Sequence, residues 1–135
     1  MKCYIFSFAI LWITIPSYLI AQNVMPLYPG GEPAMMTYIH ENISYPDWEF
    51  EKKVEGEVRI SFQIDTNGHV FKTKIRKGFT KGLDKEALRV VNSMPKWTPG
   101  SGSAATIAIH LNISFTINHD SWAKDLRKRR KKNKK

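Results

Sequence analysis

Between Val54 and Val70 the chain reads V-E-G-E-V-R-I-S-F-Q-I-D-T-N-G-H-V, and no other stretch limits the possible folds as tightly. Val58, Ile60, Phe62 and Ile64 occupy every second position, with Glu57, Arg59, Ser61 and Gln63 between them. A period of two belongs to a strand with one buried face and one wet face. Asp65-Thr66-Asn67-Gly68 follows, and Asn and Gly tolerate the positive φ that a tight reversal needs. The chain after Gly68 therefore returns as the second arm of a hairpin, over about Val70 to Lys77. Its apolar Val70, Phe71 and Ile75 are irregularly spaced among Lys72, Lys74, Arg76 and Lys77, which predicts a bulge or a lysine-guarded edge.

The other segments are read by how they cover this hairpin. Pro33 suits the start of a helix, and Met35, Met36, Ile39 and Ile43 form one apolar stripe that Tyr45-Pro46 ends. Asp47 to Lys53 is a charged connector whose Trp48 and Phe50 are expected to cap the core. Leu83, Ala87, Val90, Val91 and Met94 predict a second helix, stopped by Pro95, with Asp84 and Glu86 as routine first-turn acids. After a Gly/Ser loop, Thr106 to Ile117 alternates again: Ile107, Ile109, Leu111, Ile113, Phe115 and Ile117 point one way, and Thr106, Ala108, His110, Asn112, Ser114 and Thr116 the other. The order helix, strand, strand, helix, strand predicts an α+β fold. The expected sheet is three-stranded and antiparallel-type, in the order 2-1-3, with both helices on one face and the third strand at an edge.

Charge becomes informative once it is located. The net charge is +9, yet Lys124 to Lys135 holds nine basic residues against one acid, and Gln22 to Ala123 sums to zero. A neutral body argues against a nucleic-acid-binding face. Met1 to Ala21 has the form of an export signal, with Lys2, an apolar run and a small residue at the cut, and cleavage after Ala21 is expected; an uncleaved inner-membrane anchor is the rival reading. The one cysteine, Cys3, lies in this segment, so a mature chain has no thiol for a disulfide, a thiolate metal site or a nucleophile. His40, His69, His110 and His119 lie on different elements, and Ser101 and Ser103 have no His–Asp arrangement near them. The reading is of a protein that is not an enzyme and takes neither metal nor cofactor.

One ordered set of residues resembles a known family, the C-terminal domain of TonB-type energy transducers in its small Bacteroidetes form. It runs Pro29-Gly30-Gly31, Tyr45-Pro46, Gly56 to Ile64 leading to Asn67-Gly68-His69-Val70, Leu83 to Val91, Met94 to Gly100 and Ile113-Ser114-Phe115, covering about Pro26 to Ile117. The resemblance implies a periplasmic domain that grips an extended segment, the TonB box, of an outer-membrane transporter by adding it as a strand to the domain's last strand. Carried over by position, the peptide-binding residues are Thr106, Ala108, His110, Asn112 and Ser114, with Tyr45 and Pro46 near the receptor. An exposed third-strand edge read from the alternation is a compatible surface.

Two features depart from that family's pattern. A full transducer places a long Pro-rich spacer before this domain, whereas only Gln22 to Met25 separate the hydrophobic segment from the matching residues. The loop Pro99 to Ser103 also lacks an expected Lys or Asn. The alternative is a stand-alone envelope interaction module, a homodimer or adaptor that transduces no energy. The end of the chain, residues 118–135, has two readings: a disordered solubilising tail, or attachment through Arg127, Lys128, Arg129, Arg130, Lys131 and Lys132 to anionic lipid or lipopolysaccharide.

Overall fold

The computed structural model describes residues 23–102 and 107–134; the Met1–Ala21 segment and Thr106 lie outside them. Helix α1 spans Gly31–Asn42, α2 Asp47–Glu51, strand β1 Gly56–Ile64, β2 Val70–Lys77, α3 Lys81–Asn92, β3 Ile109–Phe115 and α4 His119–Lys132. The sheet order is β2-β1-β3, and both pairings are antiparallel. The α+β architecture follows the expectation from the alternation.

Strand β1 is central because it pairs on both sides, with β2 and with β3. Val58, Ile60, Phe62 and Ile64 are each at most 2% exposed. Burying one such side chain is worth about 1.5–3 kcal/mol, and a one-residue slip would turn all four to water. The reversal after β1 is locked by Asp65, whose Oδ1 accepts the N–H groups of Asn67 (2.9 Å) and His69 (2.8 Å). The His69 N–H is the largest influence on that carboxyl, and despite some burial it is held below the usual aspartate range. Gly68 has φ +85°, and a Cβ there would overlap the Trp97 carbonyl oxygen. The Gly68 carbonyl in turn accepts the Trp97 N–H at 2.8 Å, so the turn also seats the loop after α3.

Helices α1 and α3 lie on the buried face. Leu83, Ala87, Val90 and Val91 of α3 and Met35 and Ile39 of α1 join the β1 and β3 side chains in one core with Tyr28 and Trp97. The Thr80 hydroxyl caps α3 by accepting the Leu83 N–H at 3.2 Å. At its other end α3 stops at Asn92, two residues short of Met94, which packs beside the core.

Several expectations are corrected. The Asp47–Lys53 connector contains a helix, α2, which Pro46 and two first-turn acids start. Its Phe50 is buried as expected, but Trp48 is 60% exposed because the short helix turns it outward. Met36 leaves the α1 core stripe and is 36% exposed. Ile107, placed with the inward row of β3, is exposed, because pairing with β1 begins only at Ile109. The tail read as disordered is helical over His119–Lys132. Trp122 explains this: its Nε1 donates to the Phe50 carbonyl at 2.8 Å, docking α4 on α2. No helix among the described residues is long and apolar enough to cross a membrane.

Candidate functional site

A three-stranded sheet has two edges, and here they differ. The β2 edge is broken by register shifts opposite Arg59/Ile60 and opposite Ser61/Gln63, and Lys72 within it has φ +50°. Bulges and lysines of this kind spoil an edge as a template for another strand. The β3 edge is regular. Seven consecutive residues, Ile109 to Phe115, pair with Phe62 to Gly56 without a shift. Among the described residues no strand pairs with its outer side. Every second residue of an antiparallel edge strand turns its N–H and C=O away from the sheet, so β3 offers a row of donors and acceptors.

Beside that edge runs an apolar groove. A cavity of about 790 Å³ lies between β3 and the α1 side of the molecule, walled by Met25, Leu27, Met35 and Met36 against Ile109 and Leu111. A smaller one of about 60 Å³ continues it between Met36, Ile39 and Ile43 and the far half of β3. Met25 (55%) and Leu27 (59%) are strongly exposed. They are positioned by a short bridge in which Leu27 and Thr98 exchange backbone hydrogen bonds of 3.0 and 2.8 Å. Methionines adapt their shape to what they meet, which suits a wall that accepts varied side chains.

The residues expected at the binding strand divide between places. Ala108, His110, Asn112 and Ser114 are exposed and alternate with the buried residues of β3, on the sheet face opposite the helices. His110 is the cross-strand partner of Ser61 and Ser114 that of Glu57. Asn112 Oδ1 accepts from Arg59 Nε at 2.9 Å, which brings a guanidinium to the rim of the groove. Thr106 lies outside the described residues. Tyr45 and Pro46 meet the strand only at its Phe115 end. There the Tyr45 ring stands edge-on to Phe115 (5.8 Å) and Phe50 (6.0 Å). Its hydroxyl donates to the Val54 carbonyl, and its own carbonyl accepts from Arg129 at 2.6 Å. Burial pushes the Tyr45 phenol up, and Glu55 and Glu49 add to it. Tyr45 is thus engaged within the protein, while half-buried Pro46 borders a cavity of about 460 Å³ with Arg129 and Lys132.

Met25, Leu27, Met36 and Ile43 form much of the groove, and sequence reasoning missed that role for all four. One signal was present. Met35 and Met36 are neighbours, a helix turns about 100° between them, and both cannot face one core. A second unrecognised feature is the latch holding α1 beside the groove. Asp84 is in the first turn of α3, but Glu86 lies beyond it. Glu86 Oε1 accepts the Ser44 N–H and an Arg89 Nη2 hydrogen, both at 2.6 Å, and Arg89 also donates to the Asn42 carbonyl at 2.7 Å. Burial pushes the Glu86 carboxyl up, but the Arg89 and Ser44 hydrogen bonds together hold it below the usual range. Arg89 is raised in turn, chiefly by its bond to Glu86.

The histidines stay apart: His69 approaches Asp65 at 3.6 Å and His119 approaches Glu55 at 3.3 Å. Among the described residues no three of His, Cys, Asp or Glu gather as a metal site.

A two-helix-covered antiparallel sheet with one regular, unpaired edge defines a class of α+β domain able to accept a further strand. The chain belongs to the Gram-negative bacterial TonB protein C-terminal family, whose model matches residues 41–117. It is similar to two solution structures of the Helicobacter pylori TonB C-terminal domain. The first, of residues 194-285 of that protein, has 27% identity and a TM-score of 0.52, covering 65% of this chain and 95% of the other. The second, of residues 179-285, has 26% identity and a TM-score of 0.50, covering 68% and 89%. No curated protein matches the sequence.

Proposed function

We propose that this chain is a periplasmic peptide-binding domain of TonB-dependent transport, in which an extended, TonB-box-like segment of an outer-membrane transporter adds to β3 as a fourth strand. One observation carries the reading: the regular, unpaired β3 edge runs beside an apolar groove. A strand added there alternates its side chains. One set enters the groove toward Met25, Met36 and Ile43; the other lies with His110, Asn112 and Ser114 on the polar face, near Arg59. Each backbone hydrogen bond contributes about 0.5–1.5 kcal/mol net, so about five residues give a contact that holds and releases. Export by the Met1–Ala21 segment belongs to the same reading, and the N-terminal mass of chain recovered from the envelope tests it. A start at Gln22 is expected; an intact Met1 end overturns cleavage and favours the inner-membrane anchor.

Backbone pairing has a signature that side-chain docking lacks. Two versions of a transporter-derived peptide, N-methylated at odd or at even positions, are titrated into isotope-labelled protein. One version is expected to lose binding at least tenfold and the other to keep it, with shifts centred on Ile109–Phe115. Equal binding of both, or shifts away from β3, overturns the reading. The same edge also fits a second copy of the chain, which an interaction module would use for dimerisation. Sedimentation of the free protein separates the two uses.

A further inference from the structure

Helix α4 divides the basic residues at the end of the chain into two sets. A helix advances about 100° per residue, so Trp122, Leu126 and Arg129 share one side and Lys124, Arg127, Lys128 and Lys131 the opposite side. The first side is committed to the body of the protein. Trp122 donates to the Phe50 carbonyl, its ring lies 6.4 Å from the Phe50 ring, and Lys53 Nζ stands 4.1 Å from the Trp122 ring. Arg129 Nη1 reaches Asp47 at 2.9 Å as well as the Tyr45 carbonyl, and its guanidinium covers the Phe50 ring at 4.2 Å. On the flank, Arg130 approaches Glu51 at 3.7 Å. The second side is exposed along its length. Lys128 approaches Asp125 at 4.0 Å, a separation at which an exposed pair adds little.

We infer that this outward face is an adhesion surface for a bilayer of anionic phospholipid. Four cations lie within about 10 Å along a helix whose roll is fixed by Trp122 and Arg129, so they meet a flat surface together. The face carries no large apolar side chain from Lys124 onward, which makes the contact coulombic rather than insertive. The rest of the chain from Gln22 is neutral, so nothing there opposes it. The choice of lipid rests on the periplasmic location proposed above, where phosphate headgroups, not nucleic acid, are the extended anionic surface. The Arg127–Lys132 run therefore does not act as one cluster: Arg129 holds the helix, and its neighbours on the far side meet the lipid.

The full chain is tested by co-sedimentation with phosphatidylcholine vesicles, with and without phosphatidylglycerol. Tighter binding to the anionic vesicles, lost as salt shortens the screening length, is expected. The K128Q/K131Q variant is expected to lose about fivefold in anionic-over-neutral partition per charge removed. R130Q/K132Q removes the same charge from the two flanks, leaves the Trp122 and Arg129 anchors in place, and is expected to lose less than twofold. Equal losses from both pairs overturn the inference in favour of an undirected polycation. Equal binding to neutral vesicles overturns it in favour of insertion. Capture of lipopolysaccharide or duplex DNA without capture of the anionic vesicles overturns it in favour of that other ligand.

Discussion

Two residues in the α3 region invert ordinary expectations. Gly82 lies in the first turn of a helix, where replacing Gly by Ala is usually worth up to about 1 kcal/mol of added stability. Here the space a Cβ would take is filled by the Glu49 carboxylate, which is buried and accepts from the Thr80 hydroxyl at 2.8 Å. Gly82→Ala is therefore expected to destabilise by about 1–2 kcal/mol, because it displaces a buried acid from its partner. In a Glu49→Ala background the same change should become neutral or stabilising, and urea denaturation of the double-mutant cycle measures the difference.

Glu86 gives the second prediction. Its side chain is 12% exposed, and its folded-state pKa is lowered by hydrogen bonds that outweigh burial. A lowered carboxylate contributes stability that is full above its unfolded pKa and lost as pH falls through the folded one. The wild type should thus lose stability from about pH 4.5 downward, and Glu86→Gln should remove part of that slope at a cost of about 1 kcal/mol near neutrality. An unchanged slope in the variant would show that the latch between α3 and Ser44 carries no pH dependence.

At the scale of elements, what was legible in the sequence tracks how local the physics is. Strands β1 and β3 and helix α3 announce themselves because burial imposes periods of two and 3.6 on their own residues. The edge position of β3 was legible in the order of the elements, since a strand reached from β2 across α3 pairs on the free side of β1. Helices α2 and α4 were not, since neither is stable through its own sequence. Five residues cannot nucleate a helix alone, and the like charges four apart on α4 repel. Both form because Phe50 and Trp122 meet, a contact 72 residues apart in the chain. The groove wall was hidden similarly, because only tertiary structure shows which methionine of the Met35-Met36 pair turns from the core. Trp122→Ala combined with Arg129→Ala is accordingly expected to melt α4 while leaving the sheet intact. Far-UV circular dichroism should lose helical signal, while amide protection in β1 stays as in the wild type.

For the whole molecule, the difference between its two sheet edges sets a valence. A sheet open on both sides can grow without limit, copy upon copy. With β2 bulged and charged and β3 regular, this sheet can take on one strand and is then saturated. Under the proposed function, self-association ends at a pair, and a paired copy has nothing left to offer a transporter segment. The apparent affinity for a peptide should consequently fall as protein concentration rises through the dimerisation constant, which titrations at several concentrations would show. Crowding the domain then acts as a brake, and dilution along the envelope releases it.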